Sequence, residues 1–137
     1  MSQNSTTKIG QIGEMVALKY LQKNHYKILD RNFYITSRLT NKKIGEIDII
    51  ARYKKIYVFI EVKSKTKIGR PLVPLEAKIN SPKKKRLIRV AENWLKQHKL
   101  PLTTPRQIDI IIITLDLNQK KAYLKHYKNA IEDFNLK

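Results

Sequence analysis

Two carboxylates and a lysine stand in the middle of strand-like sequence, in the stretch GEIDIIARYKKIYVFIEVKSK from Gly45 to Lys65. Its apolar residues alternate as in a hairpin, yet Glu46, Asp48, Glu61 and Lys63 fall where core residues belong. Side chains alternate along a strand, which predicts one face for Tyr57, Phe59, Glu61 and Lys63 and one for Glu46, Asp48 and Ile50. If Lys54 and Lys55 make the turn, Tyr53 pairs with Ile56. Asp48 then lies opposite Glu61, and Glu46 opposite Lys63.

Like charges directly opposite one another destabilise a sheet, and partial burial raises that cost. A raised pKa on one acid would offset it; so would a bound divalent cation. Oxygen ligands with several retained waters suit magnesium or manganese. Lys63 lies roughly 7 Å along the strand from Glu61 at ~3.3 Å per residue, where it could hold a phosphate oxygen or a water. The plain alternative is a solvent-facing strand side with a Glu46–Lys63 pair and no chemistry.

The elements that must carry these residues read as αβββαββ. Helical spacing of Ile9, Ile12, Val16, Ala17, Tyr20 and Leu21 predicts a helix from Lys8 to about Asn24, capped by Thr6 and Thr7. Residues Met1 to Thr7 form a flexible end, and 8–137 a single domain. Tyr26 to Ile35 reads as a strand, with Ile28, Phe33 and Ile35 inward. The two strands of the hairpin follow. Ser64 to Pro82, rich in Gly, Pro and Lys, reads as a long mobile loop of the kind that often carries function. Pro82 opens a second helix running to about His98, with Leu87, Ala91, Trp94 and Leu95 along one stripe. Gln107 to Leu115 and Lys121 to Tyr127 are the last strands, and a short helix closes the chain. A mixed sheet flanked by helices is the expected α/β architecture.

The whole-chain charge points to a polyanion. Lys and Arg number 29 against 11 Asp and Glu in 137 residues, a formal net charge of +18. Cations of the loop (Lys65, Lys67, Arg70) and of the second helix (Lys83, Lys84, Arg86, Arg89) are the expected phosphate contacts. Those on the helix oppose its dipole, a local cost that a nearby phosphate would relieve. There is no cysteine, which excludes disulfides and thiolate metal sites. MSQNSTTKIGQIG has no apolar core of a signal sequence, and IIIITL (Ile110 to Leu115) is far too short to span a bilayer. The cytoplasm is the expected location, with no membrane partner. His25, His98 and His126 are scattered without ligand spacing.

The residues GEIDII followed by FIEVKSK resemble the D…E-x-K core of the PD-(D/E)XK nuclease superfamily. They are most similar to its YraN-like family, itself similar to Holliday-junction resolvases. GQIGEMVALKYL resembles that family's opening helix, RNF its first strand, and GRPLVPLEAKINSPKKKRLIRVAENWL its loop and second helix. The resemblance implies a restriction-endonuclease-like fold and a divalent-metal-dependent endonuclease that hydrolyses phosphodiester bonds. It makes Asp48 and Glu61 metal-binding acids with Mg²⁺ or Mn²⁺, Lys63 the catalytic lysine, and Glu14 a further metal acid, with Glu46 in support. The implied partner is nucleic acid, with DNA favoured over RNA and branched or flapped DNA by analogy. Symmetric cutting would call for a homodimer. The family's Arg-x-Asp entry to the fourth strand reads RQID here, so Arg106 stands one step early. The alternative is a module on the same fold that holds DNA, or RNA as a ribosome-associated protein, without turnover.

Overall fold

The computed structural model describes residues 2–67 and 81–131. Arg70, most of the loop after β3, and the short closing helix expected at the C-terminus lie outside them. The elements are α1 (Ser2–Lys23), β1 (Lys27–Thr36), β2 (Lys43–Tyr53), β3 (Ile56–Thr66), α2 (Ser81–Gln97), β4 (Arg106–Asp116) and β5 (Lys121–Ile131). The five strands lie side by side in chain order. β3 and β4 are parallel, joined across α2, and every other neighbouring pair is antiparallel. This mixed sheet with a helix on each face is the expected restriction-endonuclease-like α/β arrangement.

Burial of β4 on both faces explains its continuous apolar run. Ile108, Ile110 and Ile112 pack with Leu87, Val90, Ala91, Trp94 and Leu95 of α2. Ile111, Ile113 and Leu115 pack with Ala17, Leu18 and Leu21 of α1. The same division runs through the hairpin. Ile50 and Phe59 face α2, while Ile49, Ala51, Val58 and Ile60 face α1. The expected α2 stripe is therefore correct in full, and Trp94 anchors it further by donating from its indole nitrogen to Asp30 at 3.1 Å.

Two boundaries differ from expectation, the start of α1 and the end of β3, which runs on through Ser64 to Thr66 into the expected loop. The first helix begins at Ser2, so Thr6 and Thr7 lie inside it and not before its first turn. Residues 2–7 contain neither glycine nor proline, and nothing in them stops backward extension. Ile12, expected inward, is 40% exposed, and Leu18 takes its place in the core. The hairpin turn is the two-residue Lys54–Lys55 turn that sets Tyr53 opposite Ile56. Lys54 accepts a left-handed φ of 55° there, because the strands on either side fix the turn's length.

Helix α1 lies close on β3 because of one glycine. A methyl group at Gly13 would stand 1.8 Å from the Ser64 hydroxyl oxygen, whereas one at Gly10 would meet nothing within 4 Å. Replacing Gly13 by Ala should therefore destabilise the fold by about 1–3 kcal/mol through overpacking. Gly10→Ala should stabilise it by up to about 1 kcal/mol through helix propensity. Denaturant unfolding of the two variants checks the contrast.

Candidate active site

The hairpin register expected from the turn holds from Tyr53↔Ile56 to Ile49↔Ile60, and the regular pairing of β2 with β3 stops there. Beyond it the amide of Val62 donates not to a β2 carbonyl but to the side-chain oxygen of Asp48, at 2.7 Å. A carboxyl group thus takes a ladder position, and the two strands part around it. Alternation along β2 breaks at the same place: Ile47 and Ile50 both pack toward α2, with Ile49 toward α1.

The shared face expected for Glu46, Asp48 and Ile50 is accordingly wrong. Asp48 opens into a cavity on the α1 side, lined by Ile9, Gly10, Glu14, Val62, Ser64 and Lys65. Glu61 lines a second cavity of about 590 Å³ on the α2 side, with Lys43, Glu46, Lys83 and Arg86. Asp48 and Glu61 nevertheless meet across the fork, their carboxyls sharing a hydrogen bond.

Asp48 is held to about pKa 8, from an ordinary 3.8. Burial is the largest cause; the charge of Glu61 and its hydrogen bond add to it, and so does Glu14, while the Val62 N–H pulls the other way. The proton kept by Asp48 is what lets the two acids lie this close. Glu14 is also raised, first by burial and then by Glu46, against the opposing pull of Arg31. Among the described residues its Oε1 is buried with no hydrogen-bond partner, and the Arg31 guanidinium lies 3.9 Å away. The close approach at Gly13 is what brings this acid, one residue on, toward the fork.

Counter-charges surround the acids. Lys83 Nζ lies 2.9 Å from Glu61 Oε2, and Lys43 Nζ lies 3.3 Å from Glu46 Oε2. The expected Glu46–Lys63 pair does not form, because the ladder ends before it and Glu46 turns to Lys43. Lys63 stands half-buried on β3, opposite Ile112 of β4. Among the described residues no three carboxylate or imidazole groups form a ready-made metal cage. The donor set is instead two touching acids with a third acid's oxygen unsatisfied beside them. Hard divalent cations that keep several waters fit this, since one or two carboxylates suffice for them.

The expected phosphate contacts divide. Lys84, Arg86 and Arg89 are exposed on α2, Lys65 lines the α1-side cavity, and Arg70 lies outside the described residues. Lys83 faces Glu61, and Lys67 faces Asp116 at 3.8 Å. Arg106 is buried; it reaches Glu92 at 3.5 Å and donates to the Leu102 carbonyl. It is therefore a structural cation that ties the start of β4 to α2.

No spacing of the histidines points to a role, yet His126 sits at the centre of a buried network. Its Nε2 is 2.7 Å from Asp109 Oδ2, and its Nδ1 is 2.8 Å from the Tyr20 hydroxyl. Asp109 is fully buried and also accepts from the Gln107 side chain and the Asn129 amide. This chain fastens α1, which carries Glu14, to β4 and β5. One sign was legible: an aspartate within the run IDIIII needs buried partners.

Similarity to known proteins is consistent across most of the chain. Residues 13–113 match the model of a family described as Uncharacterised protein family UPF0102. The UPF0102 protein of Roseiflexus castenholzii is 32% identical, over 93% of this chain and 95% of its own length. Those of Caldanaerobacter subterraneus and Clostridium beijerinckii are both 35% identical, over 92% and 89% of this chain and 93% and 91% of their own.

The folded protein keeps the Asp48 proton up to about pH 8, whereas the unfolded chain releases it near 3.8. Rising pH between those values therefore favours unfolding, by at most about 1.4 kcal/mol per pH unit. Asp48→Asn mimics the protonated acid and removes this slope. Its stability relative to wild type should be near parity at about pH 3 and should rise from about pH 4 toward pH 8, as read by denaturant unfolding across that range.

Proposed function

The chain belongs to the uncharacterised protein family UPF0102, the YraN-like family, and we propose that it is a divalent-metal-dependent nuclease hydrolysing phosphodiester bonds in DNA. The observation that carries this reading is the pair of touching carboxyls at the strand fork, with Asp48 held protonated and a third acid's oxygen unsatisfied nearby. Such an arrangement is costly for a merely structural hairpin. It is relieved by a hard cation.

In this reading Asp48 and Glu61 hold Mg²⁺ or Mn²⁺, with Glu14 and the Val62 carbonyl as further oxygens. The ion supplies Lewis acidity toward a phosphoryl oxygen and a water of lowered pKa. Asp48 gives up its proton when the cation is held, so affinity rises with pH toward about 8 and binding releases protons. Lys63, two residues past Glu61 on β3, orients the attacking water or meets charge developing on the phosphate. The exposed cations of α2 bind backbone phosphates without reading sequence, which accords with a net charge of +18. Branched or flapped DNA, acted on in the cytoplasm, is the substrate class we favour.

The test is cleavage of labelled duplex, single-stranded, flapped and four-way-junction DNA with Mg²⁺ or Mn²⁺. Wild type should cut, and Asp48→Asn and Glu61→Gln should each lose at least about a hundredfold in rate, the scale at which loss of electrostatic stabilisation registers. Binding without cleavage in either metal, unchanged by both substitutions, would instead favour a nucleic-acid-binding module on the same fold.

A further inference from the structure

We infer that Lys83 is a built-in counter-ion of Glu61 that couples phosphate binding to metal loading, an inference that rests on the metal-site reading above.

The Glu61 carboxylate is met by the Lys83 ammonium 2.9 Å away. The Glu61 side chain is only 12% exposed and that of Lys83 34%, so the attraction is weakly screened by solvent. Nothing in α2 favours a cation at this point. Lys83 lies in the first helical turn, where the dipole repels it, and Lys84, Lys85 and Arg86 follow directly. Glu61 offsets that repulsion at Lys83, and Lys83 occupies one oxygen of the carboxylate that a divalent cation would share.

The cavity that holds this pair is also lined by Arg86 and Lys43. A phosphate entering it competes with Glu61 for the Lys83 ammonium. A divalent cation competes with Lys83 for Glu61. Each ligand therefore removes the contact that opposes the other, and each must raise the affinity of the other by the same factor. Without substrate, Lys83 keeps the site poorly loaded. With a phosphate in the groove, the same lysine holds the backbone, and Glu61 becomes available. Lys83, read from the chain as one phosphate contact among several, becomes the residue that links the two sites.

Two binding measurements on the full chain test this. Electron paramagnetic resonance of unbound Mn²⁺ gives metal affinity without DNA for wild type, Lys83→Gln, Lys83→Arg and the charge control Lys85→Gln. Fluorescence anisotropy of a labelled, cleavage-resistant phosphorothioate duplex, with and without Mn²⁺, gives the coupling. Lys83→Gln should bind Mn²⁺ about tenfold more tightly than wild type, within the usual range of such couplings. Lys83→Arg and Lys85→Gln should stay within about twofold of wild type. Mn²⁺ should tighten duplex binding by wild type about tenfold and leave Lys83→Gln nearly unchanged. Equal Mn²⁺ affinities in wild type and Lys83→Gln, or a Mn²⁺ effect on the duplex that survives the substitution, overturn the inference alone. Absence of Mn²⁺ binding in every protein overturns the metal-site reading and this inference with it.

Discussion

A carboxyl group that takes the place of a backbone carbonyl governs the geometry of this protein. Asp48 accepts the Val62 amide, and the hairpin can no longer continue as a regular ladder past Ile49 and Ile60. A buried amide needs an acceptor, so a strand pair can open here only if something else satisfies it. The side chain that does so also meets the carboxyl of Glu61. The fork and the opposed acids are one event. Removing the Asp48 acceptor would leave Val62 unsatisfied, and removing Glu61 would leave Asp48 a half-buried acid with less reason to hold a proton.

The two helices bring opposite charges to this fork. α1 carries Glu14, delivered by the close contact at Gly13 and fastened through Tyr20, His126 and Asp109 to the far strands. α2 carries Lys83, whose helix is fixed by the Leu87, Ala91, Trp94 and Leu95 stripe and by the Trp94–Asp30 bond. An acid from one face and a cation from the other leave the central pair biased in two directions. Glu14 raises the cost of negative charge on Asp48, while Lys83 stabilises it on Glu61. A carboxyl raised this far by burial and a neighbouring acid is a frequent mark of sites that bind or catalyse.

How much of this was legible follows from the range of the interactions involved. Element order, the α2 core stripe and the hairpin register are set by local periodicity and a two-residue turn, and they read directly from the chain. The mutual approach of Asp48 and Glu61 follows from that register. The face of Asp48 does not, because counting by twos assumes a continuous ladder and the aspartate itself interrupts it. Pairings between remote segments, such as Tyr20 with His126, Lys67 with Asp116 and Lys83 with Glu61, leave no periodic trace. Composition marks only that cations are abundant; it cannot say which are spent on neighbouring acids.

That last distinction changes how the surplus of positive charge acts. Arg31, Lys43 and Lys83 sit against Glu14, Glu46 and Glu61, so part of the basic character serves to hold an acidic centre together. Cations exposed on α2 lie beside that centre, not opposite it on the surface. A polyanion attracted to them would arrive next to carboxylates that would otherwise repel it. Repulsion is limited at close range by the proton on Asp48 and the ammonium on Glu61. Both are monovalent neutralisers. An acidic centre can therefore sit within a basic groove without rejecting phosphate, provided its resting charge is cancelled by groups that leave when a stronger cation is held there.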